Sequence, residues 1–253
     1  MDPMITAIYI IVFLYGIVIG SFLNVCIYRI PKKENIVKVN SHCMSCGHKL
    51  SWYELVPLFS YLVLRGKCRH CKTHISVQYP LIEGLNGVLY VVTFVINGVN
   101  VDSLLYCLLI SALITLSVID WRTYEIPLGI NIFILALGLI TTGFHYEDWL
   151  NHVIGFFAVS VFLYIIILVT KGRGFGGGDL KLMAVAGVML GWKLIVLSFL
   201  LGCVIAAIVH VIRMRVAGAD RVLAMGPYLS IGIFISMLFG NQLITWYIGL
   251  LGL

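Results

Sequence analysis

The apolar positions of this 253-residue chain fall into long unbroken runs rather than alternating stripes. Eight segments stand out, at about 4–28, 79–97, 101–119, 126–143, 149–170, 179–191, 193–212 and 224–252. Most approach or exceed the roughly 20 residues that carry a helix across a bilayer. The short alternating periods of membrane barrels are absent, which leaves helices to satisfy the backbone in lipid. The expected fold is therefore an all-α polytopic membrane protein with about eight transmembrane helices. The sixth segment is short and is expected to sit partly within the protein. The first run, "MDPMITAIYIIVFLYGIVIGSFLNVCIY", has no basic start, carries Asp2 and is too long for a signal core. It reads as a retained first helix with its amino end outside.

Composition strengthens this picture. Hydrophobic residues make up 61% of the chain and charged ones only 11%, against about a quarter in ordinary globular domains. The net charge of +6 is not a nucleic-acid footprint, because nine of the 17 Lys and Arg fall in one stretch: Arg29, Lys32, Lys33, Lys38, Lys49, Arg65, Lys67, Arg69 and Lys72. Cytoplasmic loops of membrane proteins are enriched in these residues. Alternation then puts Arg122, Lys171, Arg173, Arg213, Arg215 and Arg221 on the same side, with Lys181 close to it. Only Lys193 falls opposite, with Asp2, Asp102, Glu147 and Asp148. This topology has a further consequence. Asp120 ends the third helix as it reaches the cytoplasm, and Asp179 begins the sixth as it leaves, so the two share one face of the membrane.

Residues 29–78 form the one soluble piece, small for a self-sufficient core. "CMSC" at 43–46 and "CRHC" at 68–71 are two Cys-x-x-Cys knuckles separated by 21 residues. Cys43, Cys46, Cys68 and Cys71 can surround zinc tetrahedrally, and with no open position such a zinc would fold the domain and catalyse nothing. Disulfides suit a reducing cytoplasm less well, and a metal-free cluster is a third reading. His42, His48, His70 and His74 crowd the knuckles, so a mixed Cys/His set stays open. The chain thus divides into a first helix at 1–28, a cytoplasmic zinc-binding domain at 29–78, and a block at 79–253 with the remaining helices. Cys26, Cys107 and Cys203 lie in apolar helices and read as small core residues.

Each aspartate has a plain reading. Asp120 could face water or pair with Arg122, and Asp179 could favour a helix start. Yet carboxylates at a membrane edge are functional candidates. Two held close cannot both ionise easily, so one keeps a proton while its partner stays charged. The charged one can take a proton from water and the protonated one can donate to a carbonyl, which is peptide hydrolysis without a metal. In "GFGGGDLK", Gly176 and Gly178 would let a substrate backbone approach closely, and Lys181 follows one turn on; a hinge or close helix packing also accounts for the glycines. A phosphate loop fits less well, since no Gly-Lys-Ser/Thr follows.

Smaller features read plainly. Gly16 and Gly20 suggest helix packing, and Ser21 and Asn24 suggest interhelical hydrogen bonds. The segment "SWYELVPLFSYLVLRGK" at 51–67 is amphipathic and suited to a membrane surface. Glu83 sits near the cytoplasmic end of the second helix without an obvious partner.

Taken in order, four stretches resemble the type IV prepilin peptidases, membrane aspartic enzymes of bacteria. "GSFLNVCIYRIP" at 20–31 is similar to the family's opening motif, and the block from Cys43 to Glu83 to its cysteine-containing domain. "IDWRTYEIP" at 119–127 and "GFGGGDLKLMA" at 174–184 resemble the two catalytic-aspartate motifs, the second with the Gly-x-Gly-Asp signature of intramembrane aspartic proteases. The resemblance implies Asp120 and Asp179 as the catalytic pair, Cys43, Cys46, Cys68 and Cys71 as zinc ligands, and Glu83 within a family motif. It implies cleavage of the basic leader of prepilins or of pilin-like secretion and DNA-uptake subunits. The cut follows a glycine on the cytoplasmic side of the bacterial inner membrane, next to pilus or secretion machinery. It also implies methylation of the new amino terminus, usually Phe, from S-adenosylmethionine. Leu128 departs from the pattern, because an aspartate usually follows "IP", and "WYE" is followed by Leu55 where an Asn often stands. The rivals are a peptidase without methyl transfer, a non-catalytic assembly factor whose aspartates are helix caps, and an ion-coupled transporter. The last would need further charges at mid-membrane, which are scarce.

Overall fold

The computed structural model describes residues 3–37, 40–172, 174–217 and 223–250. Asp2, Lys38, Arg173 and Arg221, used in the charge argument above, lie outside them. The described residues are helical apart from turns and two isolated β-bridges. All eight apolar segments form helices. They are α1 (Pro3–Arg29), α3 (Gln78–Asn97), α4 (Val101–Thr123), α5 (Leu128–Phe144), the consecutive α6 (Trp149–Ala158) and α7 (Ser160–Thr170), α8 (Gly177–Leu190), α9 (Trp192–Ala217) and α10 (Gly226–Leu250). A five-residue helix, α2 (Phe59–Val63), lies in the soluble piece.

The number of spans differs from the expected eight. Among the described residues six helical stretches are long and apolar enough to cross a membrane, α6 and α7 together making one of them. The 17 residues of α5 and the 14 of α8 are shorter than the roughly 20 that a crossing usually takes. Pro127 opens α5, and Gly176 and Gly191 bound α8, so local backbone chemistry sets these lengths. The break between α6 and α7 falls where the Ser160 hydroxyl bonds the Phe156 carbonyl, a contact that bends helices.

The chain packs as two compact units, Met1–Ser103 and Leu104–Leu253. In the first, α1 lies against α3 with almost no room between backbones. A Cβ on Gly16 would reach within 2.6 Å of the Gly87 Cα, and one on Gly20 within 2.7 Å of the Glu83 Cα. The expected small-residue packing is present, and polar side chains stitch the same seam. Asn86 Nδ2 donates to the Gly16 carbonyl at 2.7 Å, Asn24 Nδ2 to the Tyr79 carbonyl at 3.2 Å, and Gln78 Nε2 to Asn24 Oδ1 at 3.2 Å. Unpaired, these amides would cost several kcal/mol each in hydrocarbon, about 1–3 by mutational measures.

In the second unit, α8 is the enclosed element. Its residues from Leu182 to Leu190 are all buried, which matches the expectation for the short sixth segment. Helices α5 and α6 flank it. Gly138 of α5 faces Val188, where an added Cβ would sit 3.0 Å from the valine side chain. Gly155 of α6 and Gly187 of α8 cross so closely that a Cβ on either would strike the other's carbonyl oxygen.

Candidate active site and metal centre

Asp120 lies in the last turn of α4, which ends when Tyr124 takes a left-handed conformation (φ 56°) and donates its amide to the Asp120 carbonyl at 2.8 Å. The side chain is buried, 4% exposed, rather than facing water as its plain reading supposed. Its Oδ2 accepts the amide of Gly226, the first residue of α10, at 2.8 Å. Asp179 is the third residue of α8 and is 8% exposed. Its Oδ2 accepts the Gly176 amide at 3.1 Å, so the helix-start reading is realised. That bond commits one oxygen. Among the described residues no hydrogen bond is made by Oδ1 of either aspartate.

Several contacts join the segments that carry the two aspartates. Gly178 lies against Ile126, in the segment that follows Asp120, with 3.0 Å between an added Cβ and the Ile126 Cβ. Arg213, near the end of α9, stacks its guanidinium 4.8 Å from the Trp121 ring, bringing that helix end to the same level. Gly176 and Gly177 are exposed, Gly178 is half-buried and Lys181 is exposed. A Cβ on Gly177 would meet nothing within 4 Å, which leaves this backbone open to an incoming chain. Leu128, the departure from the family pattern, is 58% exposed at the start of α5.

Three residues of the second unit add to the sequence reading. Gly226 belongs to "MGPY", and a Gly-Pro pair before an apolar run is a helix-start signal that could have drawn attention to it. Asn131, in α5, is 2% exposed, and neither atom of its amide has a partner among the described residues; a lone Asn in an apolar run was the available signal. Cys203, expected as a small core residue, is half-buried, whereas Cys26 and Cys107 are buried.

Glu83 belongs to the first unit and does have partners. Its Oε2 accepts the Leu58 amide at 2.8 Å, and the Ser21 hydroxyl also bonds to it. Leu58 precedes α2 with φ 60°, so the carboxylate holds a strained turn against α3.

The four knuckle cysteines converge. Their sulfurs all lie within 4.8 Å of one another and could hold a metal ion. The Cys43–Cys71 separation is 3.8 Å, close to the roughly 3.8 Å edge of a tetrahedron with 2.3 Å metal–sulfur bonds. Each knuckle is closed by one bridge, His42 with Lys49 and Lys67 with His74. The histidines do not join the sulfur cluster: His48 stacks on His70 at 5.2 Å and lies 3.6 Å from Glu54 Oε2. Hydrogen bonds from the Thr73 side chain and amide hold the Cys71 thiol down at about 6, and the Cys46 and Ser45 amides hold Cys43 below its usual value. Cys46 is pushed up to about 11: the His48 amide favours its thiolate, but desolvation and its bonds to Cys71 and Cys43 outweigh that. The metal-free cluster thus mixes thiolate and thiol, poised to lose protons to a cation.

Comparison with known proteins agrees with these two units. Residues 14–96 match the bacterial peptidase A24 N-terminal domain, and residues 107–211 match the type IV leader peptidase family. A prepilin leader peptidase/N-methyltransferase of Pseudomonas putida is 34% identical over 94% of this chain and 92% of its own length. Proteins of the same name from Pseudomonas aeruginosa (33%; 94% and 93%) and Legionella pneumophila (30%; 95% and 94%) are similar along equal extents. No solved structure matches the chain. With such identity over nearly its whole length, the chain belongs to the type IV leader peptidase family.

Proposed function

We propose that this chain cleaves the leader from prepilins or pilin-like proteins, with Asp120 and Asp179 as the acid–base pair, and then methylates the new amino terminus. One observation carries the hydrolytic reading. Two buried carboxylates from distant segments share one end of the second unit, each oriented through one oxygen by a glycine amide. Brought together around a substrate, two such carboxylates would share one proton. The ionised member draws a proton from water as it attacks the scissile carbonyl, and the protonated member donates to the carbonyl oxygen. The open backbone at Gly177 supports entry of an extended peptide beside Asp179.

The Lys and Arg distribution supports a cytoplasmic location for this site and for residues 29–78, between a first helix at 1–28 and the block at 79–253. The all-sulfur set favours zinc, closed and structural. The relatives' name supports methyl transfer as the second activity. S-adenosylmethionine, when bound, supplies the methyl group.

The test is to express Asp120→Asn and Asp179→Asn in membranes with a prepilin and follow leader removal. Both are expected to abolish it; undiminished cleavage by both removes the assignment. Mass spectrometry of the processed first residue is expected to show one added methyl group, and an unmodified amine with donor supplied leaves a peptidase alone.

A further inference from the structure

The soluble piece of the first unit contains a groove of about 220 Å³ between the turn at Trp52–Glu54 and α2. Tyr53, Val56, Phe59 and Leu64 give it apolar walls, and Glu54 and Arg69 bring the charge. Glu54 is 9% exposed. Its Oε2 accepts the Ser51 amide at 2.8 Å and lies 3.6 Å from His48. Its other oxygen, Oε1, is buried without a hydrogen-bond partner among the described residues. A carboxylate oxygen in that position is costly unless something arrives to meet it. Arg69 is the nearby cation whose charge acts on Glu54, yet it stands over the Tyr53 ring at 5.2 Å instead of closing an ion pair.

A groove that holds opposite charges apart between apolar walls matches a zwitterion with an aliphatic or thioether chain. We propose that this groove receives the amino-acid end of S-adenosylmethionine, its α-ammonium against Glu54 and its α-carboxylate against Arg69. The inference rests on the methyl-transfer reading above. The volume favours it over a deeper mode: typical small-molecule pockets run to roughly 300–1,000 Å³, so 220 Å³ suits the methionine portion and leaves the nucleoside outside. Tyr53 offers a ring face to cationic groups at the same place.

The test uses the full chain in detergent and S-adenosylhomocysteine as the probe, with binding read by calorimetry and metal content measured in parallel. Glu54→Gln keeps an acceptor for the Ser51 amide and removes the charge; Arg69→Gln removes its counterpart. Each is expected to weaken binding more than tenfold with metal content unchanged. Binding within twofold of the natural protein, with metal retained, overturns the inference and leaves methyl transfer standing. Should either variant lose its metal, the natural protein is compared with a desamino analogue of the probe. Equal affinity for the two overturns the inference, and a loss above tenfold supports it. No binding of the probe by the natural protein sinks the methyl-transfer reading and this assignment with it.

Discussion

The Gly226 amide donates to the Asp120 carboxylate at 2.8 Å, tying the start of α10 to the last turn of α4 across 106 positions of sequence. Nothing larger fits at that glycine. A Cβ there would stand 2.7 Å from Oδ2 and 3.1 Å from Cγ, so Gly226→Ala must push the carboxylate away by several tenths of an ångström. Displacement of about 1 Å in catalytic geometry can cost about a hundredfold in rate. We predict that Gly226→Ala lowers leader cleavage by about ten- to a hundredfold in detergent-solubilised enzyme while the melting temperature stays within a few degrees. Cleavage at the natural rate would mean that the orientation of Asp120 does not matter.

The cysteine cluster gives a prediction with a definite sign. With Cys46 up at about 11, the metal-free cluster keeps that proton at pH 7.5, whereas Cys71, down at about 6, has already lost its own. Metal uptake needs all four thiolates, so it must expel at least the Cys46 proton. Adding zinc to the metal-free protein in weak buffer at pH 7.5 should acidify the solution by about one proton or more per site. Cys46→Ser, which has no such proton to release, should give less. Uptake without acidification would show that the ligands are not these four sulfurs.

Much of the fold was legible in the sequence because long apolar runs and the two knuckles are local patterns. All eight runs formed helices, and four cysteines at conventional spacing converged. The span count was less legible. Length in an apolar run does not reveal where Pro127, Gly176 and Gly191 stop the helix, nor that α8 is wrapped by its neighbours instead of lipid. The aspartates stood out because charge in hydrocarbon is rare. Gly226 did not, since its role is a single amide meeting a side chain 106 residues away, and no periodicity encodes that. Glu83 lacked a visible partner for the same reason: its partners are the Leu58 backbone amide and the Ser21 hydroxyl, 25 and 62 positions away.

That Glu83–Leu58 bond can be tested by itself. Hydrogen bonds to charged groups contribute about 1.5–3 kcal/mol, roughly ten- to a hundredfold in an opening equilibrium. Glu83→Ala should therefore speed hydrogen exchange at the Leu58 amide by about that factor and loosen the segment through α2. Leu58→Gly should act in the opposite direction on strain, because glycine tolerates a φ of 60°. Unaltered exchange in Glu83→Ala would assign the residue a role other than holding this turn.

A close crossing in the second unit lies between Gly155 of α6 and Gly187 of α8, where an added Cβ on either residue would meet the other's backbone carbonyl. A side chain can rotate away from a clash; two backbones can separate only by moving whole helices. Overpacking a core costs about 1–3 kcal/mol when side chains can adjust, and here they cannot, so Gly187→Val should reach about 3 kcal/mol or more. Because Asp179 sits at the start of the same helix, a shift of α8 would carry the carboxylate with it. The variant is expected to lose thermal stability in detergent and leader cleavage together. Gly177→Ala, whose Cβ meets nothing within 4 Å, should leave stability unchanged and serves as the control on the same helix. A Gly187→Val protein that melts with the natural one would show that α6 and α8 need not touch at this point.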